Sequence, residues 1–210
     1  MLLALVLAAA TQAAPAQLPQ SPLFADPDLA AALGSIEPRP GAWAEYLVRA
    51  KGRGDLRVRA TALDAGESGR YWLELATAGE NGMASAARLL LRGKSSSPKD
   101  IERMYVMIAG QPPIEVPLDQ LQLPDARPQG EARVKRLGSR RVRVAAGEFA
   151  AELLLVSDTR VWRAAKVPLW GLVKARSARQ SVELVGFGES GGHSLFPPGW
   201  GQGNGSDSRK

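Results

Sequence analysis

The sequence has no cysteine and a single histidine among its 210 residues. Disulfide scaffolds, thiolate metal sites and cysteine nucleophiles are thereby excluded, and one imidazole cannot supply the nitrogen cluster that a transition metal prefers. That histidine, His193, sits in Gly191-Gly192-His193 near the C-terminus. Its Gly-rich setting cannot hold a general base within reach of a nucleophile, so a Ser-His-Asp triad is rejected. The carboxylates fall mostly at caps and turns (Asp26, Asp28, Asp55, Asp64, Glu67, Asp119, Asp125), where backbone hydrogen bonding is their ordinary role, and none has the spacing of a calcium loop. Apolar runs of the roughly 18 residues that a spanning helix needs are also missing. Gly186 to Gly191 matches G-x-G-x-x-G in letters only, because it follows the last strand and opens no helix. No catalytic residue, metal or cofactor can be nominated, and the chain is read as a non-enzyme.

What is present begins with an apolar run from Leu2 to Ala10, followed by small residues and an A-x-A site at Ala14-Pro15-Ala16, with a second site ending at Ala13. This reads as a secretory signal peptide over 1–16, although no Lys or Arg precedes Arg39 to make the usual positive start. The alternative is an apolar helix packed on the core, for which the Ala-rich run lacks the 3.6-residue alternation. Export implies a periplasmic or secreted protein, and with no cysteine after the apolar run it is not lipid-anchored. Residues 17–40 form a Pro-rich linker with one short helix, since Asp26 can cap, Pro27 suits the first turn and Gly34 the stop.

Across 41–188 the dominant signal is period-two alternation broken by Gly, Pro and Asp, the pattern of antiparallel strands. Tyr46, Val48, Val58, Ala60 and Ala62 are apolar at even positions, with a turn at Gly52-Arg53-Gly54; Tyr71, Leu73 and Leu75 share one face while Trp72 and Glu74 share the other. Residues 101–119 read either as a capped helix or, preferred here, as a hairpin with Met104, Val106 and Ile108 alternating against Ile114, Val116 and Leu118. The fold class is mainly β: a curved antiparallel sheet or incomplete barrel with one or two short helices. Residues 189–210, rich in Gly, Ser and Pro with Leu195, Phe196 and Trp200 to bury, read as a disordered or loosely docked tail.

Charge is uneven. Residues 130–180 carry twelve basic residues against four acidic ones, and the other residues have a slight acidic excess. Arg140, Arg141, Arg143, Arg163 and Lys166 are the candidate contacts to an anionic surface. The plain alternative is a solvated strand face that discourages aggregation. An exported protein meets anionic head groups or envelope polysaccharide before nucleic acid, and no aromatic interleaving suited to stacking bases accompanies these residues. Trp162 and Trp170 flank Val167-Pro168-Leu169, a corner between strands, and these tryptophans either pack the core or contact a ligand.

Four segments carry a resemblance: W-x-E-L at Trp72 to Leu75, RMYVMIAGQPPIEVP at Arg103 to Pro117, VAAGEF at Val144 to Phe149, and W-x-x-x-x-VPLWGLVK at Trp162 to Lys174. Together they resemble a group of uncharacterised exported bacterial β-rich proteins, which in turn resemble the lipoprotein-carrier superfamily of the bacterial envelope. The resemblance covers about 130 residues and implies an incomplete antiparallel barrel holding an apolar cavity closed by helices. It implies a lipid or lipoprotein as partner and Trp72, Trp162 and Trp170 as ligand-binding residues. The expected function is an exported, non-enzymatic binding protein for an apolar or amphiphilic envelope ligand. The alternative is a structural or interaction module of the envelope without a small ligand.

Overall fold

The structure is a computed structural model that describes residues 29, 32–33, 35–52, 54–79, 84–94, 100–120, 134–198 and 200. The expected signal peptide at 1–16 and the last part of the expected tail, 201–210, lie outside the described residues. Eleven antiparallel strands form one open sheet: β1 (Trp43–Ala50), β2 (Leu56–Asp64), β3 (Arg70–Gly79), β4 (Ala84–Arg92), β5 (Ile101–Ile108), β6 (Ile114–Glu115), β7 (Val134–Val144), β8 (Gly147–Val156), β9 (Thr159–Arg163), β10 (Leu172–Arg176) and β11 (Gln180–Gly188). Their order is β6-β5-β4-β3-β2-β1-β11-β10-β9-β8-β7. Two meanders therefore run outward from a central β1–β11 pair, in which Val48 faces Val182 and Tyr46 faces Leu184. The mainly β expectation is correct, and the sheet stays unclosed.

Alternation decides which side chains meet. Ala44, Tyr46 and Val48 of β1, Val58, Ala60 and Ala62 of β2, and Tyr71, Leu73 and Leu75 of β3 all point to one face and are buried. Phe149, Ala151, Val161, Ala175, Val182 and Leu184 from the second meander join them in one apolar cluster. At about 1.5–3 kcal/mol per fully buried large aliphatic side chain, this shared cluster is the main force holding the two meanders together. The second meander also curls. The turn after β7 bends over so that the Ala146 N–H donates to the Leu184 carbonyl of β11 at 3.3 Å, and Phe149 lies 5.8 Å from Phe187, ring centre to ring centre.

Non-strand pieces cover this inner face. Leu29, Ala32 and Leu33 are helical, share one side of their helix at i, i+3 and i+4, and are buried in the cluster with Ile36. Between β9 and β10 the chain makes the expected corner, which places Val167, Leu169 and Trp170 in the same core. The corner is tied to the N-terminal segment, because the Glu37 N–H donates to the Leu169 carbonyl at 3.1 Å. The residues around Ile36 are thus part of the packed body, held also by the Ile36 N–H on the Lys94 carbonyl.

Two expectations need correction. Residues 101–119 do form the hairpin, but of its two strands only Tyr105 and Val106 are buried, on opposite faces, while Ile108 and Ile114 are 40% and 61% exposed. Strict alternation of burial fails there because the outward Tyr105 is covered by Phe196 and Trp72 while the end of the strand at Ile108 is left open. Of the two readings of the tail, the disordered one is not what 189–198 and 200 show, and these residues take the docked alternative: Phe196 is buried and packs on the outer face with Trp72, Ala86 and Tyr105.

Candidate functional site

Three places bear on function: the inner face, the outer face of the first meander, and the basic edge. At the inner face Trp170 and Tyr46 are fully buried, together with Leu29, Leu33, Ile36 and Leu169. The Tyr46 hydroxyl makes no hydrogen bond, and burial pushes its ionisation well above the ordinary tyrosine value. Tyr71, on the same face, is shifted in the same direction by burial and then by the nearby Asp100. The inner face is apolar apart from the Tyr46 and Tyr71 hydroxyls and the Trp170 indole N–H, and among the described residues it is closed by the helical residues and the corner rather than by a second sheet.

The tryptophans named as ligand-binding do not come together. Trp170 is in the inner core. Trp162 alternates with buried Val161, lies opposite Lys174 and Leu153 in the ladder, and is half-buried against the core. Trp72 is on the outer face of β3, because Leu73 takes the inner one. A one-residue step along a strand exchanges faces, so with Leu73 inward Trp72 cannot share the inner face with Trp170.

The outer face of the first meander holds a row that sequence reading missed. Register aligns Thr61, Glu74, Arg88 and Tyr105 across β2 to β5. Glu74 and Arg88 are 2% and 7% exposed, with Arg88 Nε 3.6 Å from Glu74 Oε1. Glu74 accepts from Ser194 Oγ at 2.5 Å and from the Leu195 N–H at 3.0 Å. Arg88 lies over Trp72 at 4.6 Å from its ring centre and donates from Nη1 to the Trp200 carbonyl at 2.8 Å. Burial lowers the affinity of this guanidinium for its proton, while Glu74 and Tyr105 oppose the shift. A cavity of about 40 Å³ lies beside the pair, lined by Arg59, Thr61, Glu74, Ala76, His193 and Leu195. The signal available in the sequence was Glu74 at an outward position beside Trp72, with Phe196 and Trp200 as unplaced aromatics.

The five basic residues named for an anionic surface divide. Arg141 and Arg143 project from the outer side of β7, opposite half-buried Val142 and Val144, while Arg140 shares the side of Val142. Arg141 is 88% exposed and reaches Glu148 at 3.8 Å. Arg163 donates from Nε to the Trp170 carbonyl at 2.9 Å, and Lys166 donates to the Glu148 carbonyl at 3.3 Å and lies over the Phe149 ring. These last two brace the corner. β7 itself, at one end of the sheet, carries Lys135, Arg136, Arg140, Arg141 and Arg143 and no acidic residue.

Among the described residues no group of three His, Asp or Glu side chains is placed to hold a metal ion. Fold and site together define an open, one-layer antiparallel sheet with a filled inner face. Compared with known proteins, the chain matches no family model and no curated protein.

Proposed function

We propose that the protein is an exported, non-catalytic binding protein that takes an apolar or amphiphilic envelope ligand on the inner face of its open sheet. The observation that supports this reading is the nature of the cover: among the described residues, continuous apolar surface from eight strands is closed by a helical segment and a strand corner. Withdrawing Leu29, Leu33, Leu169 and Trp170 would expose a contiguous apolar patch of the kind that marks a binding surface. The unpartnered Tyr46 hydroxyl would then meet the polar atom of an amphiphile, since such sites pair apolar walls with a few polar groups. The basic β7 edge would steer the loaded protein towards anionic lipid or polysaccharide.

Native mass spectrometry of protein taken directly from its host tests this reading. A co-purifying lipid or lipoprotein mass is expected, and Tyr46→Phe should retain less of it. Protein that is ligand-free from every preparation, and whose Trp170 fluorescence ignores added lysophospholipid, would overturn it.

A second reading, an envelope interaction module without a small ligand, is favoured by the packing itself, because Trp170, Leu33 and Ile36, which cover the inner face, are themselves fully buried.

A further inference from the structure

The outer face of β2 to β5 has the features of a recognition site for a bent polypeptide segment, filled here by Ser194, Phe196 and Trp200, where the Phe196 N–H donates to Ser194 Oγ at 3.0 Å and the Trp200 N–H to the Pro197 carbonyl at 3.3 Å. A carboxylate that accepts a main-chain N–H and a guanidinium that donates to a main-chain carbonyl are complementary halves of backbone recognition. Glu74 and Arg88 do this for Leu195 and Trp200. Between those contacts the Phe196 side chain is buried against Trp72, Ala86 and Tyr105, and Trp200 meets Tyr105 edge-on at 6.1 Å. The hydroxyl of Ser194 completes the set on Glu74 Oε1. Receptor groups all lie on paired strands, and ligand groups all lie on a segment outside the sheet. That segment enters beside Gly192, where a Cβ would come within 2.6 Å of Thr61 Cγ2 and 2.7 Å of the Gly41 carbonyl.

We propose that residues 190–200 are a releasable internal ligand of this site, and that the site takes a bent, uncharged segment of a partner protein with a hydroxyl residue two positions before an aromatic one. The ligand is uncharged because Glu74 and Arg88 already balance each other. Tethering sets the local concentration of the internal segment in the millimolar range, so the partner binds only when that segment is weakened or displaced. The site lies on the face opposite the proposed apolar ligand and does not depend on it.

Full-length protein carrying Ser194→Ala and Phe196→Ala is titrated against a fluorescent synthetic peptide of residues 190–200. Because the tethered competitor is disarmed, the variant should bind this peptide about tenfold more tightly than the wild type or better. A peptide with both positions changed to alanine should bind neither protein. On the unaltered protein, hydrogen exchange at the Leu195 and Phe196 amides should run about a hundredfold faster than in β1 to β3, as local release requires. Exchange at the core rate would overturn the proposal whether or not the variant folds, and so would a folded variant that ignores the peptide. Concentration-dependent dimerisation of the wild type would assign the site to tail exchange between copies and overturn the partner.

Discussion

A hydroxyl buried without a hydrogen bond costs about 1–3 kcal/mol, and Tyr46 carries one in the inner core. Tyr46→Phe should therefore raise the stability of the ligand-free protein by about 1 kcal/mol, read as a higher urea midpoint at unchanged slope. A loss of stability would mean that the hydroxyl has a bonded partner. Alkaline pH probes the same residue. Burial raises the folded-state ionisation of Tyr46 and Tyr71, so both phenols keep their protons where the unfolded chain begins to lose them, near pH 10. Above that pH the unfolded state binds fewer protons than the folded one, so stability contributed by the two phenols is complete below about pH 10 and falls as pH rises. Unfolding free energies measured from pH 9 to 11.5 should fall more steeply for the wild type than for Tyr46→Phe. Equal slopes would place Tyr46 in contact with water.

Among the elements, the β9–β10 corner and the β7 edge make opposite demands on sequence. The corner needs Gly171 at φ 69°, where a Cβ would also stand 3.2 Å from the Ala164 carbonyl oxygen. Gly171→Ala should cost about 1–2 kcal/mol through left-handed strain, more if the Ala164 carbonyl cannot shift. Thermal unfolding checks this, and an unchanged melting temperature would show that the corner relaxes freely. The edge is tolerant, because Arg141 is exposed and its ion pair with Glu148 is long. Reversing Arg141 and Arg143 to Glu should change stability by less than about 1 kcal/mol. If the edge steers the protein to anionic surfaces, the same change should abolish binding to phosphatidylglycerol vesicles at low salt, where each engaged residue contributes about 1 kcal/mol. Wild-type binding should fade as the screening length contracts to about 8 Å at physiological ionic strength. Undiminished vesicle binding by the reversed protein would leave these arginines as a solvated edge.

For the whole molecule, the decisive contact is the pairing of the first strand with the last. Neither meander can bury its inner face alone, and β1–β11 is the seam that lets them share one core. A single cooperative unfolding transition is expected, with tryptophan fluorescence and far-UV circular dichroism changing together. Leu184→Ala, in β11 and fully buried, should cost about 2–5 kcal/mol and move both signals equally. Two separated transitions would show that the meanders are independent units.

Strand alternation was legible residue by residue, because a side chain's face depends only on its position along its own strand. The sequence by itself determined the β class, the inward set from Tyr46 to Leu75, the corner at Pro168 and Gly171, and the outward direction of Arg141 and Arg143. It could not determine which faces would be covered. Glu74 beside Trp72 looked like an ordinary outward pair until register set Arg88 opposite and the segment around Phe196 lay across both. The same holds for Leu29 and Leu33, whose spacing predicts a helix but not the sheet beneath it. Only the tertiary structure decided that the tryptophans separate and that Ser194, Phe196 and Trp200 fill a site on the outer face. Such contacts join residues more than a hundred positions apart, and no local pattern of propensity or polarity encodes them.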